Sequence, residues 1–121
     1  MFNFEKLDVW QKAIDFADLV YSTTRSFPAD ERFGLTNQLR RAAVSISSNI
    51  AEGCSRNSQT DFARFVEIAT GSVFEVVSQA FVSRRQGFMN DDNFHALYRA
   101  AEEQSRMLSG LRKSLISHDP R

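Results

Sequence analysis

Arg41, Ser45, Ser48 and Glu52 follow one another at spacings of four, three and four. Residues three and four apart share a face of a helix, so a guanidinium, two hydroxyls and a carboxylate would stand in one row. Two kinds of chemistry suit such a row. One is a hydrogen-bonded network at a seam between helices or subunits, where polar groups removed from water need partners and thereby fix register. The other is a ligand or nucleic-acid contact by Arg40, Arg41, Asn49 and Arg56, because guanidinium and amide donors match phosphate oxygens. The seam reading is preferred, since polar rows on bundle helices mostly serve structure. Asn49 falls between this row and the apolar row of Ala42, Ile46 and Gly53. Ser72, Glu75 and Gln79 repeat the spacing further along and offer a partner row, with Arg41 expected to pair with Glu75 or Glu52. Small residues at Ala69 and Gly71 would let another helix approach closely.

Catalytic chemistry finds little to stand on. Ser45 to Ser48 has no base near it in sequence, as an activated nucleophile needs. A carboxylate-bridged metal pair in a helical bundle uses Glu-x-x-His, which is absent. Asp92 and His95 come nearest, and Asp92 is better explained as a helix cap. His118, the second of two histidines, lies in the expected tail. Gly34, Gly53, Gly71, Gly87 and Gly110 stand singly, so no phosphate-cradling loop forms. No catalytic residue, metal ligand, cofactor or small-molecule substrate is identified, and the chain reads as non-enzymatic.

Four helices must position the polar rows. The first is expected over residues 8–26, with Asp8 and Gln11 as a capping box and Ala13, Ile14, Ala17, Val20 and Tyr21 facing inward, broadened by Val9, Phe16 and Leu19. Pro28 ends it. The second spans 30–52, opened by Asp30 and Glu31, with Leu35, Leu39, Ala42, Ala43, Ile46 and Ile50 inward and Gly53 as its stop. The third spans 59–86, capped by Ser58 with Asp61, striped by Phe62, Phe65, Ala69, Val73, Val76 and Ala80, and ended by Gly87. The fourth spans 92–117, capped by Asp91 or Asp92, with Phe94, Leu97, Tyr98, Ala101, Leu108, Leu111 and Leu115 inward. Residues 118–121 form a frayed tail. Joints of about four to six residues force neighbouring helices antiparallel. The expected fold is all-α: one domain over residues 1–121, an up-down-up-down antiparallel four-helix bundle.

Composition narrows the partners. Residues 1–60 hold seven basic and seven acidic groups and residues 61–121 hold eight of each. No half is therefore a basic arm of the kind that gives non-specific nucleic-acid binding. The series Arg99, Arg106 and Lys113 is broken by Glu102 and Glu103, which reads as a solvated mixed-charge face. Eleven phenylalanines exceed what a small bundle core needs, which points some aromatic surface at a partner chain. Cys54 is the only cysteine, so no internal disulfide forms and a free thiol at a helix end is expected. MFNFEKLDVW lacks an apolar signal core, and no uninterrupted apolar run reaches bilayer-spanning length. A cytoplasmic chain without a membrane segment is the expectation.

Four landmarks carry a family resemblance: LDVWQKA at 7–13, FP at 27–28, GLTNQLRRAAVSISSNIAEG at 34–53 and IATGSVFEV at 68–76. The chain resembles, from about Phe4 to Leu115, the bacterial four-helix bundle proteins named after reading frames in 23S rRNA intervening sequences. That resemblance implies a ring-shaped homo-oligomer, typically a homopentamer, with no assigned activity. A related branch, the accessory proteins of diversity-generating retroelements, binds nucleic acid through a basic ring surface, whereas this chain is neutral. The expected function is accordingly an oligomeric assembly or adaptor protein. The alternative is an accessory protein that binds RNA or DNA through Arg40, Arg41, Arg56, Arg84 and Arg85, gathered by the fold.

Overall fold

The computed structural model describes residues 1–117. After a 3-10 turn at Asn3–Lys6 come α1 (Asp8–Thr24), a 3-10 turn at Ala29–Glu31, α2 (Leu35–Cys54), α3 (Gln59–Arg85) and α4 (Asp91–Ile116). The tail expected from His118 to Arg121 lies outside the described residues.

Side-chain contacts set the direction of each neighbour. Thr24 at the end of α1 meets Arg40 near the start of α2, and Asn3 before α1 meets Cys54 at the end of α2. Ser45 bonds Ser72 and Gln38 bonds Gln79, so α2 and α3 run opposite ways. Arg84 pairs with Asp91 at one end of the α3–α4 seam and Glu67 with Arg112 at the other. Lys12–Glu103 and Val9–Gln104 close the square between α1 and α4. Among the described residues each helix packs on its two neighbours and not on its diagonal.

The core follows from apolar periodicity. Leu39, Ala43, Ile46 and Ile50 of α2 face Val66, Ala69, Val73, Val76 and Ala80 of α3. Val9, Ala13, Phe16 and Val20 of α1 and Phe94, Leu97, Ala101, Leu108 and Leu115 of α4 complete it. Each fully buried Leu, Ile or Phe contributes about 1.5–3 kcal/mol. Phe27 and Phe88 meet at 5.9 Å and close the end of the bundle that holds the first and third joints. Phe4 against Trp10, at 4.9 Å, covers the first turn of α1.

Several local expectations need correction. The inward face of α1 is Val9, Ala13, Phe16 and Val20, while Ile14 and Tyr21 are exposed, because α1 turns the side centred on Ala13 and Phe16 to α2 and α4. Asp8 is not the cap: Leu7, in extended conformation, holds that position between the 3-10 turn and α1, Asp8 already lies in the first turn of α1, and Gln11 Nε2 donates to the Glu5 carbonyl. Helix α1 ends at Thr24, before Pro28, where Thr24 Oγ1 donates to the Val20 carbonyl. The first joint is longer than expected, because α2 starts at Leu35 and Asp30 and Glu31 form a separate turn. Glu31 Oε1 still accepts from Leu35 N at 3.0 Å, so its charge reaches the positive end of α2 from outside the helix. The cap of α4 is Asn90, whose Oδ1 accepts from Asn93 N at 2.8 Å, and not Asp91 or Asp92. Ser58 caps α3 as expected, accepting from Asp61 N.

Two glycines act differently from one another. Gly87 takes φ +80° just past α3, where Gly87 N donates to Arg84 O and Phe88 N to Ser83 O, a left-handed stop open to glycine. Gly53 is no stop, since it is buried inside α2 one residue before its end. A Cβ there would stand 2.7 Å from Phe62 Cδ1 and 3.0 Å from Phe65 Cβ. Glycine at this position lets α3 cross close to α2.

By length and composition α3 is long and apolar enough to cross a membrane, although Ser72, Glu75, Ser78 and Gln79 break every continuous run. In the bundle it packs on both α2 and α4, yet 33% of its most apolar 18-residue stretch lies buried.

Candidate functional site

Helix α2 carries the polar row, but the row does not share one environment. Arg41, Ser48 and Glu52 are exposed and Ser45 is half-buried. The true polar cluster is a trio at the α2–α3 seam. Ser72 Oγ donates to Ser45 Oγ at 2.9 Å, and Asn49 Nδ2 donates to Ser45 Oγ at 3.0 Å and to the Ser45 carbonyl at 2.8 Å. Ser72 is buried, and the trio sits between helices held close by Ala42, Ala43 and Ala69. About two turns toward the start of α2, Gln79 Nε2 reaches Gln38 Oε1 and Glu75 Oε2, each at 3.2 Å, while Gln79 Oε1 is buried without a partner. The Arg41 pairing does not form. Glu52 pairs with Arg56 at 3.0 Å and Glu75 takes Gln79, so among the described residues Arg41 has no ion pair.

The five arginines do not line one groove; only Arg40 and Arg41 do. Arg40 is a strut: its Nε donates to Thr24 Oγ1 at 2.9 Å and its guanidinium lies 4.5 Å from the Tyr21 ring. Arg84 lies 3.9 Å over Phe94 and reaches Asp91 at 3.9 Å. Arg56 packs on Phe65 at 4.6 Å as well as on Glu52. It lies past the end of α2, and the helix from Arg40 to Cys54 alone spans about 21 Å at about 1.5 Å of rise per residue. Arg85 is exposed at the end of α3. Arg41 instead shares a groove of about 600 Å³ on the α1–α2 face with Arg32, Phe33, Arg40, Ser45 and Ser48. Among the described residues no carboxylate lines that groove.

A second surface was not legible as a site from residue spacing. The outer side of α3 shows Ile68, Phe74, Phe81 and Val82 to solvent, with Phe74 65% exposed. Phe74, Val77 and Phe81 form one wall of a groove of about 510 Å³ whose other wall is Tyr98, Ala101 and Glu102 of α4. Gly71 on the same outer side has open space where a Cβ would go. The signal for this face is present in the sequence: between Glu67 and Arg84 the only ionisable residue is Glu75. A helix apolar on nearly every side, in a bundle that buries one side, leaves an apolar face outward.

Cys54 is a free, half-buried thiol at the end of α2, and burial pushes its pKa up. That is opposite to the shift that activates a nucleophilic cysteine. Among the described residues no group of three His, Cys, Asp or Glu side chains is placed to hold a metal ion.

Comparison with known proteins agrees with this architecture. No curated protein matches the chain. A crystal structure of a protein of unknown function from the S23 ribosomal protein family of Bacteroides thetaiotaomicron VPI-5482 superposes with a TM-score of 0.80 over 87% of this chain and 95% of that one, at 21% identity. That likeness concerns the fold. The model of the 23S rRNA-intervening sequence protein family matches residues 5–110, which is nearly the whole bundle, and the chain belongs to that family.

Proposed function

We propose that this chain is a non-enzymatic assembly protein that works as a ring of identical copies. Five is the count that the family resemblance implies. The observation that carries the reading is the outer side of α3, where Phe74, Phe81, Val82 and Ile68 face water. Contiguous apolar surface on a small domain marks an interaction site, and aromatic residues are enriched where such contacts are made. The serines of α2 support the non-enzymatic part. Ser45 bonds Ser72 and Asn49, and Ser47 donates to the Val44 carbonyl, so neither hydroxyl is held by a base. A role in holding RNA or DNA through Arg40, Arg41, Arg56, Arg84 and Arg85 has less support, since only Arg40 and Arg41 share a groove, while Arg40 is held by Thr24, Arg56 by Glu52 and Arg84 by Asp91.

Native mass spectrometry of the full chain tests the reading. A closed homo-oligomer at micromolar concentration is expected, and Phe74→Glu is expected to release folded monomer. A wild-type protein that stays monomeric at that concentration would falsify it.

A further inference from the structure

Phe33 is 85% exposed at the end of the joint between α1 and α2, although Phe16, Phe27 and Phe94 all find room in the core. The Arg32 guanidinium lies 5.8 Å from its ring and leaves most of the ring uncovered. Both residues border the groove of about 600 Å³ on the α1–α2 face, in which Arg40 and Arg41 also stand. Sites for small ligands occupy about 300–1,000 Å³. Among the described residues Arg32 and Arg41 have no ion pair, and no carboxylate lines the groove. The acidic groups that flank it are placed elsewhere. Glu31, on the turn before α2, accepts from Leu35 N, and Asp18 lies beyond Tyr21 in a separate hollow that it shares with Arg25. An uncovered ring beside unpaired guanidinia suits a ligand that is flat at one end and strongly negative at the other.

We propose that this groove binds one nucleotide, its base stacked on the Phe33 ring and its phosphate on the Arg32 and Arg41 guanidinia. The site goes beyond the assembly reading and does not depend on it. An exposed aromatic ring is a stacking platform that any base can use, and guanidinia offer phosphate oxygens paired donors. Arg40, held by Thr24 and Tyr21, adds positive charge from a fixed position. Asn37 and Ser48 put an amide and a hydroxyl on the exposed wall of α2. The positive surface then stops. Arg56, the next arginine along the chain, is paired with Glu52 past the end of α2. A single nucleotide, free or at the end of a strand, fits that extent better than a strand laid along a basic track.

The test measures binding to the full chain at low salt. Equilibrium dialysis reads the common ribonucleoside monophosphates and inorganic phosphate; fluorescence anisotropy reads a short single-stranded RNA with a terminal phosphate at one end and a label at the other. Binding of the monophosphates or of the RNA is expected, with inorganic phosphate far weaker. Monophosphates bound as tightly as the RNA identify a free nucleotide as the ligand, and RNA bound far more tightly identifies a strand end. Phe33→Ala should weaken this binding about tenfold, with circular dichroism confirming that the variant is folded. Arg41→Gln should weaken it too, and for the RNA should lower the slope of log affinity against log salt by about 0.7. Arg85→Gln, exposed at the end of α3 and outside the groove, should leave binding unchanged. The proposal is overturned if the wild type binds neither the monophosphates nor the RNA, or if inorganic phosphate binds as well as they do. It is overturned equally if Phe33→Ala binds like wild type, or if Arg85→Gln loses as much as Arg41→Gln. Native mass of the same samples keeps the two readings apart. A monomer that binds nucleotide defeats the assembly reading alone, and an assembled protein that binds none defeats the nucleotide site alone. An assembly that falls apart in Phe33→Ala gives this face to another copy of the chain and overturns the proposal.

Discussion

Gly53 and Gly110 both sit inside helices, yet opposite outcomes are expected when each becomes alanine. Helix propensity alone favours alanine by about 1 kcal/mol at either position. Nothing stands within 4 Å of a Cβ at Gly110, so Gly110→Ala should stabilise by about 0.5–1 kcal/mol. At Gly53 the new methyl meets Phe62 and the backbone-fixed Cβ of Phe65, and overpacking of this kind costs about 1–3 kcal/mol. Urea denaturation of both variants decides the matter: a stabilised Gly53→Ala protein would remove the close-packing role. Cys54 offers a second test at this scale. Burial raises its thiol pKa in the folded state, so the folded chain keeps its proton to higher pH than the unfolded chain. The associated stability is present below the ordinary thiol range and is lost as pH rises through the folded value. Wild type should therefore lose stability relative to Cys54→Ser as the pH is raised through that range. Alkylation in the native state should be slower than in urea. A native thiol that reacts faster than the unfolded one contradicts the burial effect.

The helices themselves are held by different devices at each end. Helix α3 begins on the Ser58 hydroxyl and ends on the left-handed Gly87; α4 begins on the Asn90 amide oxygen. Removing a side-chain cap of this kind costs about 1 kcal/mol. Asn90→Ala should lower stability by about that amount, whereas Asp92→Ala should change it by only a few tenths through the dipole. Thermal or chemical denaturation that ranks these two variants the other way would return the cap to the aspartate. The α2–α3 seam combines small residues with the Ser45–Ser72–Asn49 trio. Its hydroxyl bonds are individually worth about 1 kcal/mol. They act mainly on register, because sliding α2 along α3 would strand Ser72 without a partner.

At the scale of the whole molecule, assembly through the exposed apolar side of α3 would tie stability to concentration. If copies cover that side, the folded state binds a partner that the unfolded state does not, and the melting temperature rises with protein concentration. A Phe74→Glu chain should melt lower and show little such dependence. A wild-type melting temperature that is flat across a hundredfold range of concentration counts against assembly through α3. The four surface ion pairs among the described residues contribute little to this balance, since exposed pairs are worth about 0–1 kcal/mol each.

Periodicity, breakers and caps are local properties, and they were enough to determine the four helices, most of the core stripes of α2, α3 and α4, the Ser58 cap and the Gly87 stop. The joints were short enough to set the antiparallel order of the last three helices, and the central run of α2 carried the family. What remained depends on atoms distant in sequence. Which side of α1 faces inward was settled by α2 and α4, so Ile14 and Tyr21 lie outside. Gly53 owes its role to Phe62 and Phe65 on the next helix, which spacing along α2 does not reveal. Gln104, buried and donating to the Val9 carbonyl, reads as a surface residue until α1 is laid against it. Which arginines stand together was settled only by the packing: Arg32, Arg40 and Arg41 line one groove, while Arg56 and Arg84 are held elsewhere by Glu52 and Asp91. A helix's pattern shows that it has an apolar side; only its neighbours decide how much of that side is left for a partner.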